Sequence, residues 1–430
     1  MAASEGPEVL PAWDTSEMLA GAGAAVTPRL EPAVSERIEL LDILRGFALL
    51  VMLIVHMSNF TNHDHESASN ITDLFLANKG LCIFSMLFGM GFAVQMLKMQ
   101  ATKRPFVLLY IRRMIILFLI GAANWCLVLG NGDVLTTYAV YGLMLLLLSR
   151  MSSRTAVVLA TLFLALNLWR APLIQTINTA LNVPVRRAAL LRMNGGVSVA
   201  EQLKEAVKTG TYTDVVKLQA RQFRNYKTEP ALWVTAIVVP SYFFPMFLLG
   251  FAAVKNGLVT AIGERRTIVR RLMWSSFVIG ILSNPLPYLK PELKMPQWIT
   301  QISFLLSGPS LGIFYACAIA LLLVEGGAAS RVLRPLRWPG RMGLTNYIAH
   351  YAIVITIYYG FGLGLMNRVS IYQAWALSAV IFASIWTCSY LWLSHFPYGP
   401  LEWLWRSLSF GKFPLKASTL PSGETPVSAA

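Results

Sequence analysis

Charged side chains are scarce in this chain. They make up 13% of its 430 residues, about half the share carried by a soluble protein. With 56% of the residues hydrophobic, the apolar excess has to be covered by lipid. This excludes an ordinary soluble globule and points to a polytopic membrane protein. Acids are the scarcer sign, 21 Asp and Glu against 36 Lys and Arg, for a formal net charge of +15. The cations fall in short clusters between apolar runs, as topogenic charge does, so no nucleic-acid partner is expected.

The thin supply of carboxylates also bears on function. Ion-coupled carriers place acids near mid-membrane. Here Asp42 lies near the edge of an apolar run, Asp133 in a loop and Glu325 at a helix end, which counts against ion-coupled transport. Cysteines number four, and Cys82, Cys126, Cys317 and Cys388 all lie inside apolar segments. Their spacing suits neither a metal nor a loop-stapling disulfide. They read as buried thiols, and no metal is expected. No repeat at solenoid periods is present. The first 36 residues lack the basic start and apolar core of a signal peptide. Rich in Ala, Pro, Gly and Glu, they read as a disordered cytoplasmic tail, as do residues 413–430.

What is abundant is apolar sequence in runs near the ~17–25 residues that cross a bilayer. These runs are Leu40–Phe60, Gly80–Lys98, Phe106–Gly130, Val134–Ser149, Thr155–Arg170, Ala231–Val254, Arg271–Leu289, Trp298–Val324, Met342–Met366 and Tyr372–Phe396. The expected fold is an all-α integral membrane bundle of about ten helices. N-terminal spans would occupy residues 37–170 and C-terminal spans 231–412. Every second loop is basic: Lys103, Arg104, Arg112 and Arg113 follow the second run, Arg331, Arg334, Arg337 and Arg341 the eighth. The positive-inside rule then puts both termini in the cytoplasm.

Residues 171–230 are polar and would lie outside. Within them Leu203, Val207, Val215, Leu218 and Phe223 recur at helical spacing among lysines and arginines. This predicts amphipathic helices that cover a cavity mouth or rest on lipid headgroups.

The first run, L-D-I-L-R-G-F-A-L-L-V-M-L-I-V-H from Leu41, carries three polar residues. Eleven positions separate Arg45 from His56, three helical turns and roughly 16 Å on one face. Asp42 precedes Arg45 by three and is placed to pair with it. A charge facing lipid costs several kcal/mol, so the stripe is expected to face the bundle interior or a wet cavity.

Four segments carry a family resemblance: R-I-E-L-L-D-I-L-R-G-F-A-L-L from Arg37, L-F-G-M-G-F at Leu87–Phe92, P-G-R-M-G-L-T-N-Y at Pro339–Tyr347, and Y-G-P-L-E-W-L-W-R-S-L at Tyr398–Leu408. In that order they resemble the YeiB-like bacterial membrane proteins (domain of unknown function 418). That family is similar to the transmembrane acyltransferases, among them the acyltransferase-3 proteins that decorate surface glycans and the lysosomal heparan glucosaminide acetyltransferase. Acyltransferase-3 proteins carry an Arg, ten residues, then a His on the first helix, and Arg45 and His56 match that pattern. Many YeiB-like proteins have Asn in place of His56, so this chain departs from its family towards the catalytic pattern.

The resemblance implies a bacterial inner-membrane protein that is acyltransferase-like. An imidazole is close to neutral at working pH and suits a general base, so His56 is the first candidate. Arg45, with Asp42, and the basic loop residues on its side would meet the anionic acyl-CoA donor. The polar acceptor, a glycan, lipid headgroup or small molecule, would arrive from the outer side or leaflet. By likeness to the lysosomal enzyme, whose working histidine follows this helix, His63 and His65 compete with His56. Asn346 and His350, four apart on one face, are candidates for substrate contact or interhelical hydrogen bonding. Gly89 and Gly91 read as helix packing, and Glu402 and Arg406 as an i, i+4 pair. Trp298, Trp392, Trp403 and Trp405 read as an interfacial belt. The rival reading is a transporter without covalent chemistry. Membrane lipids are the expected surroundings, and a homo-oligomer is compatible with all of this.

Overall fold

The structure, a computed structural model, describes residues 30–62, 66–101, 106–129, 133–193, 196–238, 240–284 and 297–411. Among them the regular elements are all helical. Lipid gives a backbone no partner for its N–H and C=O groups, so apolar runs of this length close their hydrogen bonds within one helix. The first run is α1 (Leu30–Ser58), which starts inside the stretch expected to be a tail. Then come α2 (Glu66–Phe75), α3 (Lys79–Ala101), α4 (Phe106–Asn124), α5 (Leu135–Leu147) and α6 (Ser153–Leu166). The polar segment that follows forms α7 (Arg170–Ala180), α8 (Val183–Met193), α9 (Val199–Thr209) and α10 (Tyr212–Lys227). The C-terminal half holds α11 (Pro230–Val238), α12 (Phe243–Lys255), α13 (Arg266–Ser283), α14 (Gln297–Glu325), α15 (Gly327–Leu333), α16 (Arg337–Arg341), α17 (Gly343–Tyr358), α18 (Ile371–His395) and α19 (Pro400–Phe410).

The described parts of the ten expected runs are largely helical, though the end of the third run at Gly130 and of the seventh at residues 285–289 lie outside the described residues. Six stretches among the described residues are long and apolar enough to cross a membrane: Glu39–Ser58, Ser69–Gln100, Phe106–Val128, Ser153–Ala180, Leu305–Glu325 and Ile371–His395. The bent pair α11 and α12 makes a seventh if it is taken as one span. The chain is therefore a multi-pass membrane protein by length and composition. The expected sixth span is broken, not continuous. Pro240, at the break, has no N–H to donate and disfavours helix in the residue before it. Its carbonyl accepts from Asn167 Nδ2 at 2.9 Å. The expected ninth span stops short, at Tyr358. Beyond it the chain folds back, with Leu363 N donating to Thr356 O at 2.9 Å.

α1 runs through the middle of the bundle, with Ile43, Leu44, Ala48, Leu49 and Leu53 buried. Its Asp42-end half is held very close to α16. A Cβ on Gly46 would collide with the backbone of Leu336, and one on Gly340 with that of Asp42. The expected pair of packing glycines on α3 divides. Gly89 lies against the backbone of Phe247 on α12, whereas Gly91 has open space where a Cβ would be.

The amphipathic pattern in residues 198–226 gives α9 and α10, each started by a capping box, Ser198 with Glu201 and Thr211 with Asp214. Such caps satisfy N–H groups the first turn leaves free. Both helices dock on the bundle. Gly360 N donates to Val207 O at 2.8 Å, and Val215 is buried in one cluster with Leu53, Met57 and Tyr358. α10 therefore lies over the His56 end of α1.

Candidate functional site

The stripe on α1 is a connected series of contacts with a different environment at each end. At the Asp42 end the expected ion pair between Asp42 and Arg45 forms. One turn away Arg337 pairs with Glu39 at 3.0 Å. This end opens on a cavity of about 450 Å³ lined by Asp42, Arg45, Arg113, Arg341, Arg406 and Gly91, among others. Small-molecule sites typically have ~300–1,000 Å³. Its walls deeper in the bundle are aromatic and include Phe84, Tyr138 and Tyr347.

Four arginines in one apolar recess need anionic partners, and those present are largely engaged. Asp42 pairs with Arg45. Glu402 caps α17, accepting from Leu344 N at 2.6 Å, Thr345 N at 3.0 Å and Thr345 Oγ1 at 2.6 Å. The expected Glu402–Arg406 pairing gives way to this cap, and Arg406 lies over the Tyr398 ring at 4.3 Å instead. Trp405 is not a belt residue. Its ring lies beneath Arg113 at 4.4 Å, its Nε1 donates to Arg113 O at 2.9 Å, and it lines the cavity. The buried Tyr110 Oη and Arg113 Nε have no hydrogen-bond partner among the described residues. The recess therefore offers unused donors and uncompensated positive charge.

At the other end His56 meets two residues of α17. Its Nδ1 lies 3.2 Å from His350 Nε2, with the rings stacked at 5.4 Å. Its Nε2 is hydrogen-bonded to Tyr351 Oη. His350 Nδ1 lies 3.0 Å from the backbone oxygen of Asn346. A carbonyl only accepts, so neutral His350 carries its proton on Nδ1 and offers Nε2 as acceptor. His56 then donates from Nδ1 and presents its lone pair on Nε2, where the Tyr351 hydroxyl donates to it. The tautomers are thus assigned from the hydrogen-bond chain. A base oriented by a second group, with its lone pair towards a hydroxyl, is the arrangement that activates nucleophiles.

His350 is 1% exposed and His56 half-buried. Asn346 turns away from His56: its Nδ2 donates to Pro339 O at 3.0 Å and Ser389 Oγ at 2.9 Å. It ties α17 to α18, the interhelical alternative of the two expected for it. His63 and His65 lie outside the described residues. Among the described residues no three His, Cys, Asp or Glu come together as a metal site.

Sequence reasoning missed Tyr351, because nothing in a helix-borne tyrosine signals a histidine on another helix. It grouped Arg113, Arg341 and Arg406 with the basic loop residues that could draw the donor's phosphates, but did not bring them into one recess. The signal available was that three separate basic loops lie at the same membrane side as Arg45.

A second cavity, about 360 Å³, lies among α5, α10, α11 and the π-helical turn Trp125–Leu129 that ends α4. A π turn leaves helix carbonyls free, and such turns cluster at functional sites. Here the Gln219 amide, oriented by its partners, donates to Cys126 O at 2.8 Å and Trp125 O at 3.3 Å. Asp133 accepts from Asn124 Nδ2 at 2.8 Å and Thr136 N at 3.0 Å. Burial raises its pKa, and those hydrogen bonds oppose the rise. Lys227 Nζ reaches Thr136 Oγ1 at 3.2 Å and lies over the ring of Trp125 at 5.2 Å. Burial lowers the pKa of Lys227, and Asp133 opposes that.

Comparison with known proteins matches two families to separate parts of the chain. Residues 37–195 match the family described as heparan-alpha-glucosaminide N-acetyltransferase, catalytic. Residues 253–412 match the family described as protein of unknown function (DUF418). The chain is 27% identical over 411 residues to the uncharacterized protein YxaH of Bacillus subtilis (strain 168), covering 89% of this chain and 96% of that one. It is 26% identical over 407 residues to the uncharacterized protein YeiB of Escherichia coli (strain K12), covering 87% and 96%. An uncharacterized 39.9 kDa protein of Bacillus acidopullulyticus is 26% identical over 396 residues, covering 89% and 97%. The chain is thus similar to YeiB-like proteins along most of its length, and Arg45 and His56 lie in the part similar to an acetyltransferase catalytic region.

Proposed function

We propose that this multi-pass, acyltransferase-like protein is an enzyme of the bacterial inner membrane that moves an acyl group from cytoplasmic acyl-CoA to a polar acceptor on the outer side. One observation carries the reading. A single helix presents Arg45 in the wall of an arginine-lined recess and, roughly 16 Å along its axis, a histidine whose Nε2 lone pair is directed by His350. Both chain ends are cytoplasmic in this reading, with about ten spans. The convergence of Arg113, Arg341 and Arg406 on the Arg45 end, opposite α10, supports that orientation.

In the reaction the donor's phosphates meet Arg45, Arg113, Arg341 and Arg406, whose guanidinium groups suit phosphate oxygens. The donor's extended arm follows the aromatic wall towards His56. An acceptor hydroxyl or amine replaces the Tyr351 hydroxyl at His56 Nε2. As the acceptor attacks the thioester carbonyl, its proton passes to Nε2. The carbon–sulfur bond then breaks and the leaving thiolate takes that proton from the imidazolium. His56 ends neutral and is not consumed.

Purified protein given acyl-CoA and acceptor should form ester or amide product. His56→Ala should abolish product while retaining acyl-CoA binding, and Arg45→Ala should weaken that binding. Product formation unchanged in His56→Ala would remove His56 as the base. Export of a small molecule with no covalent change would favour the transporter instead.

A further inference from the structure

The arginine recess and the base are close together but do not open into each other. Tyr347 lines the recess, whereas His56, His350 and Tyr351 do not. Tyr347 nevertheless packs edge-on against Tyr351 at 5.3 Å and against His350 at 5.7 Å. It also stacks on Phe84 at 6.4 Å, another residue of the recess wall. Tyr347 and Tyr351 are four residues apart on α17, about 6 Å along its axis. The barrier is therefore about one helical turn thick, and the Tyr347 ring, buried at 1% exposed, fills it. Leu49 and Met52, between Arg45 and His56 on α1, are buried as well and do not line the recess. A donor arm entering from the recess meets this ring before it meets His56.

The ring is loosely tied and has room to move. Among the described residues its hydroxyl accepts from Val134 N at 3.4 Å, longer than the usual ~2.7–3.2 Å. A tyrosine in a helix has two favoured χ1 rotamers, both leaning back over the preceding turn. One turn before Tyr347 stands Gly343, which also lines the recess.

A Cβ at Gly343 would meet Arg45 Cδ at 3.7 Å, an ordinary contact. Packing against α1 therefore does not demand glycine there. What the missing side chain leaves is a bare turn, over which the Tyr347 ring can swing away from His350 and Tyr351.

We infer that the Tyr347 ring is a gate between the recess and the base. Closed, it seals His56 off; swung over Gly343, it admits the donor's arm, and its bulk limits the acyl group that passes. What passes rests on the acyltransferase reading, but the gate itself does not. The test uses the full chain in sealed proteoliposomes, with its four cysteines replaced by alanine and His350→Cys as the reporter. An anionic methanethiosulfonate is added on the Arg45 side, and labelling is followed by mass spectrometry. Labelling follows the open fraction, so Tyr347→Ala should speed it about tenfold, and Gly343→Ala, whose methyl takes the ring's room, should slow it about threefold. Loss of packing would not move the two variants in opposite directions. With the native cysteines and His350 in place, Tyr347→Ala should raise kcat/KM for benzoyl-CoA relative to acetyl-CoA about tenfold. Gly343→Ala should lower turnover while acyl-CoA affinity holds. If labelling is equal in all three chains, the gate fails, and acyl transfer by His56 can still stand on its own kinetics. If labelling shifts as expected but no acyl-CoA is turned over, the gate stands and the acyltransferase reading fails. Faster labelling in Gly343→Ala would overturn the swing over that turn.

Discussion

The two ends of α1 solve opposite problems. The Arg45 end is wide and rich in charge, with unmade hydrogen bonds at Tyr110 and Arg113. The His56 end is narrow, and each imidazole nitrogen there has a partner. An open, charged recess gains from a ligand that brings the missing partners. A closed chain of hydrogen bonds fixes direction, which is what a base requires. In the proposed reaction, binding and chemistry are thereby separated along one helix, and substitutions at the two ends should separate as well.

The largest expected effect is at the base. His56→Ala should lower acyl transfer about 10²–10⁴-fold, the usual weight of a general base, with acyl-CoA affinity kept; steady-state kinetics beside equilibrium binding checks both. Arg113→Ala should do the reverse. Losing charged hydrogen bonds should weaken acyl-CoA binding about 10–100-fold, and turnover at saturating donor should hold. A fall in turnover with unchanged affinity would break the contrast between the ends. His350→Ala leaves His56 Nδ1–H without its acceptor. Turnover should fall about 10-fold or more, and the pH–rate profile should move, whereas His350→Gln, whose amide oxygen accepts, should restore both. If Gln were no better than Ala, His350 would be packing and not orienting. The smallest effect is expected for Tyr351→Phe, a change of about fivefold in acceptor KM, towards tighter apparent binding because a competing donor has gone.

The same contrast marks what could be read from the chain alone. Asp42, Arg45 and His56 lie on one helix, so helical geometry was enough to align them and to expect the ion pair. His350 was noticed only as a polar residue sharing a face with Asn346. That it stacks on His56 depends on how α17 crosses α1, which local pattern does not encode. Arg341 comes into the recess because Gly340 lets α16 approach the α1 backbone, a tertiary fact carried by one missing Cβ. The helical membrane character was legible because lipid forces backbone closure within each helix, whereas six stretches, or seven with the bent pair, reach a crossing length among the described residues. The break at Pro240 was missed: a proline inside the apolar run Ala231–Val254 signalled it, but the run's length concealed it.

The Tyr351 hydroxyl on His56 Nε2 has a consequence for the thioester itself. A base with a free lone pair can activate water as readily as an acceptor, and the donor would then be hydrolysed to no purpose. With the lone pair already taken by a tyrosine, water has to displace a tethered competitor, while a seated acceptor does so with the help of its other contacts. Acyl-CoA held at the Arg45 end would thus survive until an acceptor comes. Acyl-CoA hydrolysis without acceptor should therefore rise in Tyr351→Phe even as its transfer persists. A hydrolysis rate that stays at background would show that water is kept out by other means.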